Sequence, residues 1–198
     1  MEFLLEKEAD VNAQGGDYGT ALQAASAHGH EAIAELLLEE QAGVNAQGEH
    51  YGTALQAASA CGHETTVELL LEKQVHVNAQ GQFYGTALQA ASANGYEAVV
   101  KLLEKEADVN SQGGLSGTAL QAASARGHKA IVELLLEKEA DVNAQGGVYG
   151  TALQTASAYR YEAVTQLLLA NKANLNVQET KYETALQATS AYDHEMVM

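Results

Sequence analysis

Apolar positions in this chain fall in two alternating patterns. A short, alanine-rich run, Ala21-Leu22-Gln23-Ala24-Ala25, comes first. After Gly29 a second run places Ile33, Leu36 and Leu37 at i, i+3 and i+4. That spacing predicts a helix with one buried face, and Glu35, Glu39 and Glu40 then occupy its other side. The first run predicts a short helix whose small residues allow close packing. Gly29 stops it, because a glycine just past a helix end adopts a left-handed conformation cheaply. His30 and Glu31 open the second helix. The following stretch, AGVNAQGEHYG, has no helical period and predicts an extended loop or a β-hairpin bent away from the helices.

The double pattern then repeats. Its marker is Thr-Ala-Leu-Gln, beginning at Thr20, Thr53, Thr86, Thr118, Thr151 and Thr184, with spacings of 33, 33, 32, 33 and 33. A fixed period of this size signals stacked units, none of which closes a core alone. Thr-x-x-Gln also reads as a capping box: the hydroxyl accepts from the backbone three residues on, and the Gln side chain returns to the Thr N–H. The pairs are Thr20/Gln23, Thr53/Gln56, Thr86/Gln89, Thr118/Gln121, Thr151/Gln154 and Thr184/Gln187. The expectation is an all-α solenoid of helix-turn-helix plus hairpin loop per 33 residues. It forms a single domain over 1–198, with about five full repeats and partial repeats at both ends.

The period, the two helices per unit and the strings GHEAIAELLL and ADVNAQ resemble the ankyrin repeat family, and the resemblance covers essentially the whole chain. The family opens its first helix with Thr-Pro-Leu-His; here the motif is Thr-Ala-Leu-Gln. Loss of that Pro costs about 0.4–1 kcal/mol per site through unfolded-chain entropy, which the capping box partly offsets. The variant GGxYGTALQAAS, with near-identical neighbours, resembles the ankyrin arrays at the C-termini of fungal NACHT-type, NLR-like proteins.

Where the family carries Gly after the second helix, this chain has Glu8, Gln41, Gln74, Glu106, Glu139 and Lys172. Each costs about 1 kcal/mol if the backbone is left-handed there; otherwise the helix runs on and ends differently. The short fourth spacing arises because Leu102 and Leu103 stand where other units have three leucines, so a local irregularity is expected between Leu103 and Asn110. The last units drift: Arg160 and Asp193 replace the glycine that ends the first helix, and Thr180 and Glu183 replace hairpin glycines. Met1 and Met198 both align with Ala34 inside a second helix. Exposed ends of this kind raise an alternative function: a structural array that self-associates head to tail, a contact that need not close.

Composition narrows the partners. The net charge of -16 repels phosphate backbones and disfavours nucleic acid. No run of 18 apolar residues predicts a membrane span. A single cysteine, Cys61, fits a reducing, cytoplasmic compartment, with the nucleus as an alternative. His30, His63, His128 and His194 come one per repeat and offer no closed metal ligand set. No nucleophile with a base, phosphate-binding loop or cofactor fingerprint is present, so the expectation is no enzyme, no catalytic residue, no metal and no cofactor. Asn12, Asn45, Asn78, Asn110, Asn143 and Asn176 are expected to satisfy backbone groups between hairpins.

What remains is a surface. In ankyrin proteins the hairpin tips and the ends of the first helix meet a protein partner, and the resemblance implies that role here. The candidates are Tyr18, His50, Tyr51, Phe83, Tyr84, Leu115, Arg126, Val148, Tyr149, Tyr159 and Tyr182. The regular tyrosines also suit packing of each tip on the next hairpin. The irregular positions, His50, Phe83, Leu115, Arg126, Val148 and Tyr159, are the better candidates for specificity. Tyrosine and arginine suit such a surface because they give large contact area with hydrogen-bonding ends.

Overall fold

Each first helix begins where its threonine caps it. The Gln23 N–H donates to Thr20 Oγ1 at 3.3 Å, and the Thr20 N–H donates to Gln23 Oε1 at 2.6 Å. The same reciprocal pair closes at the other five sites. In this computed structural model, residues 9–148, 150–178 and 184–192 are described. Among them the helices are α1 (Ala21–Ala27), α2 (Glu31–Glu39), α3 (Ala54–Cys61), α4 (Glu64–Leu71), α5 (Ala87–Asn94), α6 (Glu97–Leu103), α7 (Ala119–Ser124), α8 (Lys129–Glu137), α9 (Ala152–Ala158), α10 (Glu162–Ala170) and α11 (Ala185–Tyr192). Odd-numbered helices are the alanine-rich first helices and even-numbered ones the leucine-rich second helices.

First helices pack on first helices and second on second, so one core runs along the stack. Leu22, Leu55, Leu88, Leu120 and Leu153 enter it from the first helices. Leu37, Leu70, Leu103, Leu135 and Leu168 enter from the second, and all ten are buried. Truncating one of them to Ala costs about 2–5 kcal/mol, because little can collapse into the gap.

The loop between units is an extended turn closed by one bridge, as at Gly15 with Gly19 and Gly48 with Gly52, and no strand forms among the described residues. The neighbouring repeat also bonds the hairpin backbone. Gln23 Nε2 donates to the Ala46 carbonyl at 3.2 Å and also to the Gly52 carbonyl. Asn12 acts similarly beyond the second helix: its Oδ1 accepts from the Gly43 N–H at 2.7 Å. Asn45, Asn78, Asn110 and Asn143 repeat that contact on His76, Asp108, Asp141 and Asn174.

The junction after the second helix takes two forms. Gln41, Glu139 and Lys172 are left-handed, with φ of 63°, 61° and 66°. Gln74 and Glu106 are not, and there α4 and α6 are shorter than α2, α8 and α10. Glu8 lies outside the described residues. The missing residue of the fourth spacing is absorbed between Leu103 and Ala107: the Ala107 N–H donates to the Leu103 carbonyl at 2.8 Å, where Ala42 reaches back to Leu37 and Ala140 to Leu135. The bond from the Asp108 N–H to Asn78, at 2.8 Å, keeps the next rung in register.

Arg160 holds the left-handed position of the glycine it replaces, with φ of 60°. Asp193, Thr180 and Glu183 lie outside the described residues.

Candidate functional site

The tip residues and the ends of the first helices form one continuous face. Tyr18 links them: its hydroxyl shares a hydrogen bond with His28 Nε2 at 3.0 Å, so the ring spans from tip to helix end. Tyr18 stacks on Tyr51 with ring planes 3° apart and centroids 5.8 Å apart. Tyr51 in turn neighbours Tyr84 and Cys61; burial, then Cys61, Tyr18 and Tyr84, raise its phenol pKa. The regular tyrosines Tyr18, Tyr51 and Tyr84 are thus half-buried and support the face as much as they decorate it.

The irregular residues project further. Phe83 is 58% exposed, Leu115 49% and Val148 43%. His50 lies 6.1 Å from Phe83, centroid to centroid. Arg126 is exposed just beyond α7. Tyr159, one repeat on, is exposed beside Tyr161, with centroids 6.3 Å apart. Tyr149 and Tyr182 lie outside the described residues. His50, Phe83, Leu115 and Val148 thus stand on the tips, and Arg126 and Tyr159 at first-helix ends equivalent to that of His28.

Two features of the face escaped the sequence reading. The first is a backbone weld between tips. The Leu115 N–H donates to the Phe83 carbonyl at 3.3 Å, and the Val148 N–H to the Leu115 carbonyl at 2.8 Å. Gly114 permits the first of these: with φ of 58°, a Cβ there would sit 2.5 Å from the Gly85 nitrogen. Between the first and second tips and between the second and third no such bond forms among the described residues, and Glu49 and Gln82 hold that glycine's place there. The Gly-Gly spelling at Gly113-Gly114 and Gly146-Gly147 was the available signal.

The second feature lies at the helix turn. The His63 ring lies over Gly29 of the preceding repeat, and its Nε2–H donates to the Ala27 carbonyl at 3.0 Å. His128 does the same to the Ala93 carbonyl at 3.3 Å, while Tyr96 and Tyr161 cover Gly62 and Gly127. A Cβ at Gly62 would meet the Tyr96 ring at 2.5 Å, so the glycine is required by its neighbour as well as by its own φ of 76°. These rings are stacking elements. His194 lies outside the described residues.

No group of three potential metal ligands assembles among the described residues. Cys61 is half-buried, and burial raises its thiol pKa, which disfavours the thiolate. No described helix is long and apolar enough to cross a membrane.

Comparison with known proteins agrees with this geometry. The family model described as ankyrin repeats (3 copies) matches residues 1–81, 42–113 and 87–179. The crystal structure of the human ASB11 ankyrin repeat domain superposes with a TM-score of 0.82 at 25% identity, covering 99% of this chain and 90% of that one. No curated protein matches the sequence.

Proposed function

The chain belongs to the ankyrin repeat family, and from that premise we propose that it is a non-catalytic recognition module whose tip-and-first-helix face binds a protein partner. Ankyrin repeats are generally protein–protein interaction modules, and the family is typically non-catalytic. The observation that carries the choice of face is the exposed row Phe83, Leu115 and Val148, three large apolar side chains on successive tips. Isolated exposed apolar residues are ordinary, but a contiguous row on a rigid scaffold marks an interaction site. Mechanistically, a stack held by buried hydrogen bonds in every rung presents this row with little rearrangement, so binding loses little conformational entropy. The recognition residues are Phe83, Leu115, Val148, His50, Arg126 and Tyr159, supported by Tyr18, Tyr51 and Tyr84, with Tyr149 and Tyr182 assigned the same role from their place in the repeat. The setting is intracellular, within a receptor-like protein of the kind the fungal resemblance implies, and residues 1–198 act as one domain. The test is partner capture by the native chain and by a Phe83→Ala, Tyr159→Ala double variant of unchanged helicity. Undiminished capture by the variant rejects the assignment.

A second reading, head-to-tail self-association, has one observation in its favour. Leu186 is 78% exposed, whereas its counterparts Leu22, Leu55, Leu88, Leu120 and Leu153 are each 1% exposed. Light scattering over a hundredfold concentration range separates the two. A constant mass near 20.8 kDa rejects assembly; a mass that climbs without limit supports it.

A further inference from the structure

The charge of the chain is segregated, and the segregation bears on what the tip face binds. The segments that build tips and first helices in the third, fourth and fifth repeats, 78–95, 110–127 and 143–160, contain no Asp or Glu. The second helices and their exits between them carry Glu97, Glu104, Glu106 and Asp108, then Glu133, Glu137, Glu139 and Asp141. Basic residues divide too. The described lysines lie on the second helices, at their boundaries or just beyond, where Lys101 pairs with Glu97 at 2.5 Å, Lys129 with Glu133 at 2.8 Å and Lys138 with Glu104 at 3.4 Å. The chain's two arginines, Arg126 and Arg160, stand instead at the ends of successive first helices. Arg126 is exposed and has no ion-pair partner among the described residues. Arg160 lines a cavity together with Glu162, so the charge of this face rests on Arg126.

The net charge of -16 therefore misdescribes this surface. In the third to fifth repeats the acids lie along the second helices and their exits, and Arg126 ends the first helix that follows the Leu115 tip, the place that His28 holds where Tyr18 reaches it. From this we infer that the tip face of the third to fifth repeats binds an acidic peptide segment of a partner protein. Apolar side chains of that segment lie along Phe83, Leu115 and Val148, and a carboxylate meets Arg126. The inference rests on the tip-face reading proposed above and adds the partner's chemistry to it. Two physical effects favour this occupant. A guanidinium offers a planar fork that matches a carboxylate in two parallel hydrogen bonds. The acidic second helices repel the same peptide, so docking on them is disfavoured relative to this face.

The test is selection of a phage-displayed library of random 12-residue peptides on the immobilised full chain, followed by titration of the enriched peptides. The comparison variants are Arg126→Gln and, separately, Phe83→Ser with Leu115→Ser, all surface changes checked for unchanged thermal melting. The expected result is enrichment of peptides rich in Asp or Glu with at least one large apolar residue. Their affinity falls about tenfold or more in Arg126→Gln and is lost in the double variant. Peptides that need Phe83 and Leu115 but are neutral or basic and indifferent to Arg126 overturn the charge inference and leave the tip-face reading standing. Basic peptides unaffected by either variant overturn both, and an absence of enrichment overturns the acidic-peptide assignment.

Discussion

The side-chain amide of Gln56 donates to the Ala79 carbonyl, one repeat further on, at 3.0 Å. The same residue caps its own helix, its Oε1 accepting from the Thr53 N–H at 2.6 Å, and its amide also reaches the Gly85 carbonyl. One buried side chain therefore starts a helix and ties it to the next hairpin. Gln56→Ala leaves the Ala79 carbonyl and the Thr53 N–H without partners, while the Gly85 carbonyl keeps its bond from the Gly81 N–H. The expected loss is about 2–4 kcal/mol, read as a lower urea midpoint. Gln187→Ala, at an exposed capping box, loses clearly less.

The hydroxyls of Ser59 and Ser92 are fully buried between helices and have no hydrogen-bond partner. Each therefore carries a desolvation penalty with nothing to offset it. Ser59→Ala and Ser92→Ala are each expected to stabilise the stack by about 1 kcal/mol, raising the thermal midpoint. A drop in midpoint would mean that these hydroxyls are satisfied.

The two forms of junction after the second helix predict opposite responses to glycine. Glu139→Gly relieves a left-handed non-glycine residue and is expected to gain up to about 1 kcal/mol. Glu106→Gly relieves nothing and loses about 0.5–1 kcal/mol by adding freedom to the unfolded chain. Parallel chemical denaturation of the two variants measures the difference in sign.

Burial raises the Cys61 thiol pKa, so less thiolate is present near neutral pH than for a free cysteine. Alkylation by iodoacetamide at pH 7.5 is expected to run more slowly than with a cysteine peptide and to accelerate further into the alkaline range. The sign carries over to stability. With the folded pKa above the unfolded one, the contribution is present below the unfolded value and is lost as pH rises through the folded value. The native chain is therefore expected to lose more stability at alkaline pH than Cys61→Ala.

Much of the fold could be read from the order of residues because it is written in local chemistry. Thr53 and Gln56 are three apart, and that spacing is the capping box itself. Leu70 and Leu103 mark the second-helix core by periodicity. The second role of Gln56, its reach to Ala79, joins residues 23 apart and has no local signature. Only its return in every repeat, at a position where the family has His, pointed to it. The split between Gln41 and Gln74, one left-handed and one not, also went unread, because both are glutamines and the helix lengths before them decide.

On the recognition face the irregular residues stood out against a near-perfect repeat, so Phe83, Leu115 and Arg126 were legible as candidates. The bond from the Leu115 N–H to the Phe83 carbonyl was not, because it depends on how closely Gly114 lets two tips approach. The charge of the face was misleading when read from the total. Only the placement of Arg126 against Glu133 and Glu137 separates the two sides.

The most direct test of the account is affinity capture with three folded chains: the native protein, a tip-face variant (Phe83→Ser, Leu115→Ser, Val148→Ser) and a second-helix variant (Glu68→Gln, Glu133→Gln). The account predicts that one protein is retained by the native chain and the second-helix variant and is absent from the tip-face variant. Retention by the tip-face variant and loss from the second-helix variant would contradict it.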